Sequence, residues 1–80
     1  MNNLTLKALN TLIATEPKVE DAFYAVTLYD ASINMQGRLN AETLTITKNL
    51  GIKVNQHEEK LWFEGTIFID GIAIYITLTL

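Results

Sequence analysis

The last twenty residues carry the clearest alternation of apolar and polar positions in the chain. Two alternating runs, 61–69 and 72–80, flank Asp70-Gly71, a dipeptide that tolerates the positive φ values of a type I′ turn. This turn predicts a hairpin whose apolar face consists of Leu61, Phe63, Gly65, Ile67 and Ile69 opposite Leu80, Leu78, Ile76, Ile74 and Ile72. Because a slip of one residue would turn this set to the other face, burial of one side sets the register. Gly65 either leaves room for Ile76 and a helix above it or marks a bulge or bend.

The opposite face of the predicted hairpin is semi-polar and carries its large aromatic residues. In the register set by the turn, Tyr75 faces Thr66 and lies diagonally from Phe68, so that the two rings can form one patch. Large aromatics contribute much of the binding energy at the centres of protein interfaces. We therefore predict a partner-binding surface at Trp62, Thr66, Phe68 and Tyr75. The alternative is that the first helix or a long loop covers these rings as a second small core.

A first amphipathic helix is predicted near the start of the chain. Asn3 or Thr5 is available as its N-cap, and Pro17 lies just beyond its end. Its apolar stripe consists of Leu6, Leu9, Leu12 and Ile13. We expect this stripe to cover the apolar face of the hairpin, because that face needs a helical layer over it.

The middle of the chain contains both strand and helix signals. Residues 23–29 alternate with Tyr24, Val26 and Leu28 on one face, and 33–37 form a second strand or a bulged continuation. Residues 43–47 are rich in β-branched side chains, but the flanks favour a helix over 41–50, since Asn40 can cap its start and Gly51 its end. A short strand at 52–55 and a polar connection at 56–60 then lead into the terminal hairpin.

This order of elements predicts one α+β domain over residues 1–80. We expect an antiparallel sheet of four to five strands, with the long C-terminal hairpin and two helices packed on one face. At 80 residues, 49% of them hydrophobic and 19% charged, the chain is expected to fold as one small domain that gains from self-association.

Composition narrows the class of partner and the compartment. The absence of cysteine excludes disulfides and thiolate chemistry and favours a reducing cytoplasm. The apolar runs are too short for a membrane span. A net charge of -3 with six basic residues opposes nucleic-acid binding. We expect no cofactor.

No arrangement of reactive side chains indicates an enzyme. His57 is the single histidine and lies beside Glu58 and Glu59, a sequence typical of a solvated loop. With no second histidine and no cysteine, it does not complete a metal-ligand set. No spacing indicates a catalytic carboxylate pair, a nucleophile elbow or a phosphate-binding loop. We therefore expect no catalytic and no metal-binding residues. An alternative site for an anionic metabolite or nucleotide consists of Asn34, Gln36, Arg38, Lys48 and Lys53.

Two segments, 32–37 (SINMQG) and 74–79 (IYITLT), resemble small phage-encoded accessory proteins of the kind that includes anti-defence inhibitors. The resemblance implies a single domain in the host cytoplasm that binds a host protein or sequesters a small signal molecule. Two function classes therefore stay open. One is a protein-binding module that uses the aromatic sheet face and binds a partner or itself, and the other is a small-ligand binder that works as a homo-oligomer.

Overall fold

The structure is a computed structural model that describes residues 3–56 and 62–80. Three helices and five strands follow one another in the order α1 (Asn3–Thr15), α2 (Val19–Ala22), β1 (Phe23–Leu28), β2 (Ser32–Arg38), α3 (Ala41–Asn49), β3 (Asn55–Gln56), β4 (Trp62–Ile69) and β5 (Ile72–Thr79). The predicted α+β fold is confirmed. The helix α2, a single turn of four residues, adds to the two helices that the sequence predicts.

The five strands form one mixed sheet in the order β1-β2-β5-β4-β3. Neighbouring strands are antiparallel except for β2 and β5, which run parallel. The sheet therefore differs in one pairing from the wholly antiparallel sheet that we expected. The physical reason is the connection: the chain leaves β2, forms α3, β3 and β4, and returns as β5 between β2 and β4, a parallel arrangement that needs such a long crossover.

The C-terminal hairpin has the predicted turn and register. Asp70 and Gly71 have φ values of 51° and 80°, and the strand pairs run from Ile69 with Ile72 to Phe63 with Leu78 on the covered face. The last predicted pair involves Leu61, which lies outside the described residues. Leu80 follows the end of β5 and is exposed, so its predicted place on the buried face is wrong.

The hydrophobic core lies between the three helices and one face of the sheet. Strand β5 is at the centre of the sheet, between the long strands β2 and β4. The buried core residues are Ala8, Leu12, Val19, Phe23, Ile33, Met35, Ile46, Ile52, Ile72, Ile74, Ile76 and Leu78. The terminal hairpin therefore supplies four of these side chains, more than any other unit of the chain.

Helix α1 covers the sheet as predicted, with Leu12 buried and Leu9 packed against the core. Its inward side also includes Thr5 and Ala8, and it does not include Leu6, which is exposed. Thr5 lies within the helix and is not its cap. Its hydroxyl donates a 2.7 Å hydrogen bond to the carbonyl oxygen of Asp30, in the turn after β1. This bond satisfies a backbone acceptor and gives the hydroxyl of the buried Thr5 a partner, which explains how a polar residue can lie in this interface.

Helix α3 confirms the helix predicted at 41–50 and has both predicted caps. The side chain of Asn40 accepts a hydrogen bond from the backbone N–H of Thr43, and the Thr43 hydroxyl accepts one from the backbone N–H of Asn40. At the other end Gly51 has φ 77°, and the N–H of Ile52 donates to the carbonyl of Thr47 at 2.9 Å. This is a Schellman ending, and it outweighs the β-branched composition of the helix.

The strand that follows α3 overlaps the strand predicted at 52–55 only at Asn55. The short strand β3 is Asn55–Gln56, and residues 52–54 instead pass over Gly65 on the covered face. A Cβ atom at Gly65 would lie 2.6 Å from Cγ2 of Ile52 and 2.9 Å from the backbone oxygen of Lys53. Gly65 thus makes room for extended chain and not for a helix. Most of the predicted polar connection at 56–60, with His57, lies outside the described residues.

Candidate functional site

The sheet has one covered face and one face that no described helix covers, which we call the bare face. Side chains alternate between the two faces along each strand, and the helices pack against the face of Ile33, Ile74 and Ile76. On the opposite face the exposed residues of the sheet are Thr27, Gln36, Arg38, Asn55, Glu64, Thr66, Phe68 and Tyr75. The bare face is therefore mainly polar, with aromatic rings at particular positions.

Phe68 and Tyr75 lie side by side on the bare face. Phe68 pairs with Ala73, and Tyr75 pairs with Thr66 one step further along the same two strands, so the rings occupy diagonal positions. Phe68 is 68% exposed and Tyr75 is 46% exposed. The three predicted residues Thr66, Phe68 and Tyr75 therefore form one continuous surface.

Trp62 lies on the same face but at the other end of β4. It is half-buried, and its indole N–H donates a 2.8 Å hydrogen bond to a carboxylate oxygen of Glu64. Trp62 and Phe68 are six positions apart on β4, which corresponds to roughly 20 Å along a strand. The structure thus separates Trp62 from the Phe68 and Tyr75 pair.

Tyr29, which our sequence analysis did not select, joins that pair. Its backbone N–H donates to the carbonyl of Ser32 at 2.8 Å, Ser32 is opposite Ala73, and Ala73 is opposite Phe68. Tyr29 and Phe68 therefore stand at two ends of one row, with two small residues between them. With Tyr75 in the next row, the three aromatic residues flank Ser32 and Ala73 in the strand register. We call these five residues the aromatic basin, with Ser32 and Ala73 as its floor.

Tyr24 is exposed because a bulge interrupts the start of β1. The register shifts between Phe23 and Ala25, which turns Phe23 into the core and displaces Tyr24 from the face that it would share with Val26. The bulged strand accommodates the Phe23 ring over Gly37, where a Cβ atom would lie 2.9 Å from Cδ1 of Phe23. Simple alternation therefore assigned Tyr24 to the wrong face.

The structure divides the alternative ligand site. Asn34, Gln36 and Arg38 alternate along β2 on the bare face, and Nη1 of Arg38 donates a 2.8 Å hydrogen bond to the carbonyl oxygen of Leu80. Lys48 lies on α3 in the helical layer. Lys53 lies near β3 at the far edge of the sheet. These five residues do not line one site.

Neither of two surface grooves in the described part of the chain is lined by all five of these residues. A groove of about 580 Å³ in the helical layer is lined by Glu16, Lys18, Asp21, Ala41, Glu42, Thr45, Ile46 and Asn49. A second groove of about 360 Å³, at the edge of the sheet, is lined by Lys53, Asn55, Gln56, Glu64, Gly65 and Thr66. Both mix acidic and basic groups, so neither presents a uniform charge to an anionic ligand.

Residues 3–56 and 62–80 contain neither a grouped set of metal ligands nor a helix able to span a membrane. No three side chains of histidine, cysteine, aspartate or glutamate are grouped there to hold a metal ion. None of the helices in this part of the chain has the length and apolar character that crossing a bilayer requires. Comparison with protein-family models, with curated proteins and with solved structures gave no match.

Proposed function

We propose that this chain is a non-enzymatic protein-binding domain whose contact surface is the aromatic basin on the bare face. The observation that supports the proposal is the exposure of Phe68, 68%, beside Tyr75 on a sheet face without a helical cover. Leaving such a ring in water costs the transfer energy that burial would recover, about 2 kcal/mol for a phenylalanine side chain. A partner that covers Phe68 recovers this energy.

The chemistry of the basin suits an apolar side chain of a protein partner. Tyr29, Phe68 and Tyr75 provide apolar rings, and the two small residues Ser32 and Ala73 lie between them in the strand register. The floor and rings contain no charged side chain, which is typical of the centre of a protein interface. The nearest charges, Asp30 and Asp70, stand exposed in the turns at one end of the basin. Glu64 and Arg38 lie further along the strands, so all four would belong to the rim.

Polar groups next to the basin add directionality to this contact. Asn34 pairs with Tyr75 across the parallel strands and with Thr27 on the other side, so its amide stands at the edge of the basin. Amide groups beside aromatic anchors supply hydrogen bonds that orient a partner. The resemblance to phage accessory proteins would make that partner a host defence protein.

Photocrosslinking tests this proposal without altering the rings. A photoreactive amino acid is placed at Thr66, which is exposed and opposite Tyr75, or at Leu44, an exposed position on α3 in the helical layer. In cells that express the chain, we expect covalent adducts with a protein from position 66 and none from position 44. Equal labelling from both positions, or none from position 66, would contradict the proposal.

A double substitution then tests the two rings themselves. Phe68→Asp with Tyr75→Ser, made in the position 66 background, should remove the adduct while the circular dichroism spectrum stays native, because both side chains are exposed. Loss of folding would assign the rings to the core. An undiminished adduct in a folded variant would show that the rings do not bind the partner.

A further inference from the structure

Strand β1 forms one edge of the sheet, and no other strand of the described residues pairs with its free side. An edge strand presents backbone N–H and C=O groups that can pair with a further strand. The direction of these groups follows from the hydrogen bond between the N–H of Tyr29 and the carbonyl of Ser32. Because hydrogen-bonded and non-hydrogen-bonded pairs alternate in an antiparallel ladder, Thr27 also bonds inward. Val26 and Leu28 therefore direct their backbone groups outward.

The free edge of β1 lacks most of the features that prevent strand pairing. Residues 23–29 (FYAVTLY) contain no charged residue, no proline and no glycine, whereas protected edges use charge, proline or a very short strand. Within the described residues the other edge strand, β3, is Asn55–Gln56, and both of its residues are exposed and polar. The single protective feature of β1 is the bulge between Phe23 and Ala25, which leaves residues 25–29 regular.

We propose that β1 pairs antiparallel with β1 of a second copy of this chain, about a two-fold axis at Thr27. In this register Val26 of each copy faces Leu28 of the other, and their outward groups form about four interchain hydrogen bonds. The five-stranded sheets of the two copies then join into one continuous sheet of ten strands. This inference goes beyond the proposed function and does not rest on it.

A second copy fits this edge because β1 complements itself. Val26 and Leu28 are only half-buried against the core, and on pairing each covers the other on the helical face. On the bare face Thr27 meets Thr27, and Ala25 meets Tyr29 of the second copy. Residues 25–29 carry no charge, so no like charges oppose each other, and the register lies outside the bulge. A strand from an unrelated protein would gain the backbone hydrogen bonds but not this match of side chains.

Single cysteines test the register, because the chain contains no cysteine of its own. Opposed residues in a non-hydrogen-bonded antiparallel pair have Cα atoms roughly 4.5 Å apart, within the range of about 4.4–6.8 Å that a disulfide spans. Thr27→Cys should therefore give a disulfide-linked dimer under mild oxidation. Ala25→Cys is the control on the same strand, since its two copies would lie roughly 14 Å apart. Equal crosslinking of both variants, or none of Thr27→Cys, would overturn the proposal.

Charge at the same position tests the association without a covalent bond. Thr27 is exposed, so Thr27→Lys and Thr27→Glu should fold, but each opposes like charges across the two-fold axis and should weaken the dimer by roughly tenfold. An equimolar mixture of the two variants should restore the dimer mass in light scattering. Thr45→Lys, at an exposed position on α3, should dimerise like the unsubstituted chain. An unsubstituted chain that stays monomeric at every concentration would overturn the proposal.

Discussion

The two faces of β5 show how differently neighbouring residues are placed in this domain. Ile74 is completely buried beneath the helical layer, and Tyr75, the next residue, is 46% exposed on the bare face. The same contrast continues along the strand, where Ile76 is buried and Thr77 only half-buried. The aromatic residue on the bare face of β5 is therefore not part of a second hydrophobic core.

The difference between the faces lies in continuity and not in total hydrophobicity. On the covered face, Val26, Met35 and Ile76 form an apolar row across three neighbouring strands. Gly65 of β4 ends this row and carries no polar side chain. The bare face interrupts its rings with threonine and amide side chains. Helices bind where an apolar surface is continuous, because only there does burial leave few polar groups without partners. The bare face therefore contacts water or a partner.

The largest expected difference in stability is between the same substitution made on the two faces of β5. Ile74→Asp buries an unpaired charge and should cost several kcal/mol, a loss on the order of the ~5 kcal/mol stability of a small domain. Tyr75→Asp should cost no more than about 1 kcal/mol, because only strand propensity changes. Urea unfolding of the two variants measures the contrast. A folded Ile74→Asp variant of unchanged stability would show that the helices do not cover this face.

A smaller effect is expected where the chain passes over the covered face of β4. Gly65→Ala introduces a Cβ atom 2.9 Å from the backbone oxygen of Lys53, and the resulting shift should cost about 2 kcal/mol. Thr66→Ala is the control on the next residue, which is exposed, and should change stability by less than about 0.5 kcal/mol. Thermal melts of both variants test this prediction, and equal midpoints would contradict the close crossing at Gly65.

The smallest expected effect concerns the cap that holds α3 over the covered face. Asn40→Ala removes the acceptor for the backbone N–H of Thr43 and should cost about 1 kcal/mol of stability. Thr45→Ala, on the exposed side of the same helix, should be neutral or stabilising by a few tenths of a kcal/mol. Chemical denaturation distinguishes the two. If Asn40→Ala lost no more stability than Thr45→Ala, the capping box would contribute nothing.

Part of the candidate site was predictable from the sequence alone. The turn at Asp70-Gly71 fixes which residues of β4 and β5 oppose each other, and this register places Phe68 and Tyr75 together on one face. Tyr29 could not be placed beside them in this way. Its position depends on the parallel pairing of β2 with β5, which joins strands far apart in the sequence and has no turn residue to indicate it.

The sequence by itself determined the features that a few neighbouring residues control: the type I′ turn, the capping of α3 and its Schellman ending. These depend on backbone angles and hydrogen bonds within one or two turns of chain. Only the tertiary structure decided the mixed sheet, the bulge at Tyr24, the buried position of Thr5 on α1 and the passage of residues 52–54 over Gly65. Each of these follows from contacts between distant segments, because burying the continuous apolar face outweighs local preference.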